Sequence, residues 1–507
     1  MHNTYYITTP IYYVNDVPHI GHAYTSVISD VMARFMRLLG KDVMFLTGTD
    51  EHGQKVEKAA IARNMDPQQF TDQVSQHFRN LMLSLNISND DFIRTTEARH
   101  KQAVTYLWQQ LLSSDNIYLS SYNGWYSLRD EAFYNASELI DGLAPTGATV
   151  EWVEEPSYFF RLSKWQDKLL EFYSNNPNFI RPAARYNEVI SFVKSGLHDL
   201  SISRSSFKWG VKVPEHEEHV IYVWLDALTY YISALGYPAP HDNYNKFWPA
   251  DVHVVGKDIL RFHAVYWPAF LMAAGLEPPK CIMAHGWWTN DGQKISKSIG
   301  NVIDPIKLID EFGLDPVRFY LIREVILGSD GNFSRNNFIN RVNSELSNKI
   351  GNLLQRTLTL AYKNNEEQIP LINEDTLNKI YDSPLIIKVE ESVLQNSSSM
   401  SLFDINAVLT SIINLAEEAN VYIDHEAPWN LKETNPEKMS EILYTLLELI
   451  RYIAIMLQPF IPNSANIMLD QLAVPVDQRL WKHLTKEFAI TPGRDINLPT
   501  AVFPRIG

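Results

Sequence analysis

The chain has 507 residues, of which 45% are hydrophobic and 20% charged, with 21 glycines and a single cysteine. That composition excludes a disordered chain and a collagen-like repeat, and the length fits roughly three domains. The lone thiol, Cys281, excludes an intrachain disulfide and a multi-thiolate metal site. The 44 Lys+Arg against 59 Asp+Glu give a net charge of −15, which taken alone speaks against a nucleic-acid partner. RNA responds to the local face and not to the sum, so a basic stripe has to be sought along the chain. The longest apolar stretch, Ile442 to Pro462, is broken by Glu448 and Arg451 and reads as a buried helix, so no membrane partner is expected. No signal or transit segment precedes the first apolar run, which makes a reducing, cytoplasmic setting the expectation.

The N-terminal part alternates strand and helix signals. Tyr5 to Thr9 is a β-rich run closed by Pro10. After a loop to His19, apolar pairs at Val27/Ile28, Val31/Met32 and Phe35/Met36, then Leu39, predict a helix with Gly40 as its C-terminal cap. Val43 to Thr47 is continuously apolar, as a strand buried on both faces should be. This βαβ unit predicts an α/β, doubly wound parallel (Rossmann-like) sheet spanning residues 1–117. Between 118 and 218 aromatics, glycines and short polar turns predict an inserted β-rich domain. Strands at Val220 to Leu225 and Val252 to Val255, and a helix from Ile259 to Ala274, then resume the sheet domain over 219–280. A linking region covers 281–340, beginning with a strand at Cys281 to Ala284. The rest, 341–507, has no glycine between Gly351 and Gly493 and repeats apolar residues with helical spacing, which predicts an all-α bundle. Within it Asn396-Ser397-Ser398-Ser399 reads as a short loop.

Two clusters carry chemistry. His19-Ile20-Gly21-His22 stands at the turn from the first strand into the first helix, where open parallel sheets bind ligands and a helix N-terminus favours a phosphate. Gly21 leaves room for a nucleotide base, and both histidines can donate to phosphate oxygens. Read alone, the two rings serve equally well as helix caps. Lys294-Ile295-Ser296-Lys297-Ser298 follows the turn Asn290-Asp291-Gly292 and suits a pyrophosphate that is held and then released. Standing alone it would be a solvated basic loop.

Together the two clusters, an inserted domain between them and a helical bundle behind, resemble a class I aminoacyl-tRNA synthetase. The finer resemblance, over nearly the whole chain, is to the methionyl-tRNA synthetase family. It rests on Thr9-Pro10-Ile11-Tyr12-Tyr13-Val14-Asn15, Thr47-Gly48-Thr49-Asp50-Glu51-His52-Gly53, Val223-Trp224-Leu225-Asp226-Ala227-Leu228, Gly256-Lys257-Asp258-Ile259 and His425-Glu426-Ala427-Pro428-Trp429. The resemblance implies activation of L-methionine by ATP with Mg2+, then transfer to the 3′ end of tRNA(Met). It implies that His19 and His22 stabilise charge on the α-phosphate while Lys297 and Lys294 hold the other phosphates. Gly21, Gly256, Asp258 and His285 are implied to bind ATP. The implied methionine pocket is Ile11, Tyr13, Asp50, Trp224, Ala227, Leu228, Tyr231, Ile259, His263 and Trp267. Asp50 would pair with the substrate ammonium group; a helix N-cap is the other role an Asp there can fill. His263 and Trp267, four apart, are expected on one helix face.

Two departures stand out. Leu228 occupies a position where the family often has proline. Ser127 and Asp130 stand where many members carry zinc-binding thiolates, so no zinc is expected. In the bundle Arg341, Lys349, Arg356 and Lys363 are spaced 8, 7 and 7 apart and form the basic stripe. The resemblance implies that Asn352, Arg356 and Trp429 read the anticodon, a Trp stacking on an unpaired base. No module follows the bundle, and a monomer is expected. Another class I synthetase, for a bulky aliphatic substrate, would need a larger insertion than about 100 residues. A small nucleotidyltransferase would not need the helical third.

Overall fold

The computed structural model describes residues 3–14, 17–130, 132–134, 136–239, 242–295 and 300–507. Its centre is a parallel sheet in the order Asp91–Arg94, Asp42–Asp50, Thr4–Thr8, Val252–Gly256, Ile282–His285 and Ile180–Arg181. The first strand lies in the middle, with Ile7 opposite Phe45 on one side and Val252 on the other. The chain winds away from it in both directions, which opens a crevice at the carboxyl ends of Thr4–Thr8 and Val252–Gly256. Tyr12–Tyr13 continues along the edge of Asp42–Asp50. Thr8 pairs with Leu46 but Tyr12 with Thr49, so the first strand carries one extra residue around Pro10, which has no N–H to give.

The helix Ile20–Leu38 packs on this sheet and ends as its sequence implies, with Gly40 at φ +82°. It is tied to the rest of the molecule through a buried ion pair. Asp30 meets Arg318 at 2.7 Å, and Arg318 also donates to the carbonyls of Leu85, Pro459 and Phe460, each at 3.0 Å. Arg318 belongs to Leu314–Glu324 in the linking region, and Pro459 and Phe460 to a turn of the helical bundle. One guanidinium thus joins the first helix, the linking region and the bundle. Breaking such a buried pair typically costs about 3–5 kcal/mol.

Three features differ from the sequence reading. The apolar run at Val220 to Leu225 is not one strand. His216–Ile221 forms a strand of a separate antiparallel sheet, and Val223–Leu228 is a short helix buried on nearly every side. A short apolar run fits a strand or a fully buried helix equally well, and packing decides. The parallel sheet also takes its edge strand, Ile180–Arg181, from inside the 118–218 segment; the β-rich remainder there pairs Ile117–Ser127 with Glu151–Phe160 over ten residue pairs. Asn396 to Ser399 is not a loop but part of the helix Pro384–Ser401, where the Asn396 amide is buried against Met456.

The bundle is built on Pro436–Leu457, almost entirely buried. Its two buried charged residues answer each other: Arg451 binds Glu448, whose carboxylate also accepts from Tyr381 (2.5 Å) and the Ile490 N–H (3.1 Å). Among the described residues no helix is long and apolar enough to cross a membrane. Cys281 sits just before the strand Ile282–His285 and is buried, its carbonyl accepting from the His253 N–H at 2.9 Å.

Candidate active site

A cleft of 1820 Å³ opens at the crevice between the two central strands. The helix start at its floor is closed by the chain itself. Ile20 N–H donates to the Ile303 carbonyl at 3.1 Å, Gly21 N–H to His19 Nδ1 at 3.0 Å, and His22 and Ala23 N–H to the His19 carbonyl at 3.0 and 3.2 Å. Ala23 makes the ordinary helical bond, and the His19 N–H goes to His22 Nδ1 at 3.1 Å. The four donors of His19, Ile20, Gly21 and His22 that a helix N-terminus would offer a phosphate are therefore all spent. The sequence points to this helix N-terminus as a backbone site for a phosphate; in the fold its N–H groups are already bonded, and only side chains are left to offer donors there.

The two histidines bond to the backbone of this turn. His19 Nδ1 accepts from Gly21, and His22 Nδ1 accepts from the His19 N–H at 3.1 Å, so each caps the helix in a reciprocal pair. A neutral ring whose Nδ1 accepts must carry its proton on Nε2, which leaves both Nε2–H groups as donors. Burial lowers the pKa of His19, with Asp258 opposing, and lowers that of His22 further, with His19 adding to the effect. The pair is neutral, and the same arrangement that caps the helix leaves each ring one Nε2–H donor. The ring centroids lie 4.1 Å apart, and His22 stands edge-on to Tyr12 and Phe78. A side chain at Gly21 would come within 2.9 Å of the His19 ring, so its first constraint is the cap and not a base.

On the opposite strand Gly256 is held to glycine by Asp258, whose Oδ1 would lie 2.6 Å from an added Cβ. Asp258 accepts from Trp287 Nε1 at 3.1 Å, and Lys257 pairs with Asp330 at 2.7 Å. His285 lines the cleft, but its nitrogens are committed: Nδ1 donates to the Gly286 carbonyl at 2.8 Å and Nε2 accepts from Thr25 at 2.7 Å.

Of the residues expected to form the site, Ile11, Tyr13, His19, Gly21, His22, Asp50, Trp224, Gly256, Asp258, Ile259 and His285 line this one cleft. Ala227, Leu228, Tyr231, His263 and Trp267 are buried behind its wall. Tyr231 donates to His263 Nε2 at 2.7 Å, because His263 Nδ1 gives its proton to the Ile259 carbonyl at 2.9 Å. Burial pushes His263 down to about 4. The chain from Phe262 to Tyr266 is π-wound, yet His263 and Trp267 both pack on Tyr231, at 5.8 and 6.0 Å. Trp224 and Phe262, stacked at 3.7 Å, stand between these rings and the cleft. Asp50 is not a helix cap, since Gly53 precedes the helix Gln54–Ala62.

The lysine loop begins in a hairpin. Thr289 pairs with Lys294 and Asn290 with Gln293 across Asp291-Gly292, both at positive φ. That hairpin places the Lys294 backbone; Lys297 lies outside the described residues.

In the bundle one continuous helical run, Arg335 to Asn364, carries the stripe, with π winding over Val342–Gly351. The stripe is not a free basic face. Lys349 pairs with Glu417 (2.7 Å), Asn352 with Asn420 (3.4 Å) and Arg356 with Asp424 (2.6 Å), each 68 residues apart, so this helix and Ile405–Glu426 run parallel. Arg341 binds Glu324 and Glu345. Spacing shows where charges fall on one helix but not what faces them. Trp429 follows a left-handed Ala427, sits in the turn Pro428–Asn430 and is 44% exposed, with the Arg356 guanidinium 5.4 Å from its ring. Asn352, Arg356 and Trp429 thus share one surface patch.

Comparison with known proteins agrees with this architecture. The family model for class I tRNA synthetases (M) matches residues 5–150 and 135–358, and the model for the anticodon-binding domain of methionyl-tRNA ligase matches 376–507. The methionine–tRNA ligase of Rickettsia felis is 70% identical over 100% of this chain and 99% of its own length. The chain belongs to the methionyl-tRNA synthetase family. A more distant member, from Mesorhizobium japonicum, is 49% identical over 99% of this chain and 97% of its own. The Mycobacterium tuberculosis enzyme in complex with methionyl-adenylate superimposes with a TM-score of 0.95 at 45% identity, covering 99% of this chain and 100% of that one.

Where many family members bind zinc, a hydrogen-bonded knuckle stands. Asp130 accepts from Tyr134 (3.0 Å) and from Thr146, its own N–H donates to Ser127 (3.2 Å), and Arg129 donates to the Thr146 carbonyl (2.6 Å). Among the described residues no group of three or more His, Cys, Asp or Glu is placed to hold a metal ion. Sequence reasoning missed His100, the partners of Asp226, and Phe262 on the cleft wall. The one local signal was an aspartate inside the apolar run Val223 to Leu228.

Proposed function

We propose that the cleft joins L-methionine to ATP, giving methionyl-adenylate and pyrophosphate, and then passes the methionyl group to the 3′ end of tRNA(Met). Methionine–tRNA ligation is the activity of the family, held here at 70% identity over the full chain. The observation that carries the mechanism is the reciprocal histidine cap. It fixes two Nε2–H donors at the sheet's switch point while every backbone donor beside them is spent.

Attack of the methionine carboxylate on the α-phosphorus is an in-line displacement. It needs placement and donors aimed at developing charge, and no protein nucleophile. His19 and His22 supply those donors, and Lys294 and Lys297 hold the other phosphates and the leaving pyrophosphate. Gly256 and Asp258 receive the ribose, with Gly21 and His285 shaping the nucleotide side of the cleft. Asp50 takes the ammonium group. Ile11, Tyr13, Trp224 and Ile259 line the entry to the methionine side chain, with Ala227, Leu228, Tyr231, His263 and Trp267 forming its apolar support; aromatic edges suit a thioether. Mg2+ entering with ATP would be held mainly through the phosphates and water and would supply charge neutralisation there.

Asn352, Arg356 and Trp429 read the anticodon, supported by the exposed, pre-set Trp429 ring beside Arg356. Asp130 and its partners fold the knuckle without zinc. A monomer in the cytoplasm completes the reading. ATP–pyrophosphate exchange with each of the twenty amino acids tests it: methionine should dominate. Strong exchange with leucine or isoleucine and none with methionine overturns it.

A further inference from the structure

The walls of the amino-acid pocket come from separate segments, and behind the pocket they meet at one carboxylate. Asp226, fully buried, sits on Val223–Leu228 between Trp224 and Ala227. Its Oδ2 accepts from His52 Nδ1 at 2.6 Å and its Oδ1 from His100 Nε2 at 2.8 Å. His52 follows Asp50 by two residues, and its backbone N–H reaches Asp50 Oδ1 at 3.4 Å. His100 belongs to Ala98–Ser113, and its Nδ1 lies 2.9 Å from Ser233 Oγ, on the short helix Tyr230–Ser233 that carries Tyr231. All four side chains are buried.

A carboxylate only accepts, so Asp226 dictates that each ring points an N–H at it and thereby fixes both tautomers. Burial alone would push Asp226 up, but His52 and His100 outweigh it and hold the carboxyl at about 2. It is an anion throughout the working range. A buried anion keeps to the geometry that satisfies it, since losing one partner leaves an uncompensated polar group in the interior.

We propose that Asp226 is a positioning residue for methionine: through His52 it sets the loop bearing Asp50, through its own helix the Trp224 wall, and through His100 and Ser233 the segment bearing Tyr231. The carboxylate touches no substrate. It aligns the group that takes the ammonium with the wall that takes the side chain. The inference rests on the methionine reading above.

The test is Asp226→Asn in the full-length protein. The amide keeps the volume but turns one acceptor into a donor facing an imidazole N–H. Methionine KM in ATP–pyrophosphate exchange should rise about 10- to 100-fold, as misplaced binding groups do, while ATP KM stays within about twofold of the parent by the same reasoning. Active sites are counted by the adenylate burst. A merely structural role predicts fewer active sites with both KM values unchanged, and that result overturns the proposal, as does an equal rise in both. If Asp226→Asn does not fold, His100→Gln is judged on the same two KM values. A parent that shows no methionine exchange would fail the functional reading itself, which the variants do not touch.

Discussion

The cleft and the patch around Trp429 hold their polar side chains in opposite ways. His19 and His22 are clamped by backbone N–H groups, each leaving one defined donor for a ligand. Asn352 and Arg356 lie on the surface and are satisfied by Asn420 and Asp424 until something displaces those partners. Chemistry on a phosphate needs donors that do not move, because reorganisation during the reaction raises the barrier. Recognition of an RNA loop needs partners that exchange cheaply, and exposed ion pairs are worth only about 0–1 kcal/mol.

The sharpest way to break this contrast is His22→Ala. It removes one fixed donor and half of the helix cap, and adenylate formation should fall about 10²- to 10³-fold in single-turnover assays. A change of only a few-fold would return the histidines to a purely capping role. Acid should separate the regions too. The buried rings of His19, His22 and His263 take up protons at lower pH in the fold than in the unfolded chain, with His263 near 4 against an ordinary 6.5. The unfolded chain therefore gains those protons first, and stability should drop as pH falls through 6.5 towards 4. Hydrogen exchange should rise first in Ile20–Leu38, and a rise that is uniform along the chain would remove the contrast.

On the other side, Trp429→Ala should weaken aminoacylation about 5- to 150-fold, the range of one lost stacking contact, while exchange and melting stay near the parent. Loss of all three together would make Trp429 a core residue. The smallest effect expected is for Asp424→Asn. If the patch takes RNA as proposed, freeing Arg356 and removing a carboxylate from it should tighten tRNA binding about 1.4- to 5-fold, the range for an exposed pair. Weaker binding would mean that Asp424 holds Arg356 in its reading position.

Much of this was legible locally. The first strand, the helix capped by Gly40 and the histidine turn follow from short-range patterns, because backbone periodicity and capping are settled within a few residues. The identity of the helix Val223–Leu228 was not, since an apolar run says only that it is buried. Nor was the pairing of the basic stripe, whose partners lie 68 residues on. The same holds for the start of the first helix. The Ile20 N–H looked free for a phosphate until Ile303, far along the chain, supplied a carbonyl. His100 meets Asp226 across 126 residues, and neither position carries a periodic signal.

Cys281 has a practical consequence. It is the chain's single thiol, and burial pushes its pKa up to about 12 despite Arg181 nearby. The native protein is therefore close to inert toward thiol-directed dyes at neutral pH, because the thiolate is the reactive form. One cysteine introduced on the surface would take up a label alone, with no background of native thiols to remove. At His425, whose side chain is 81% exposed and four residues before Trp429, such a dye would report the arrival of an RNA loop in real time.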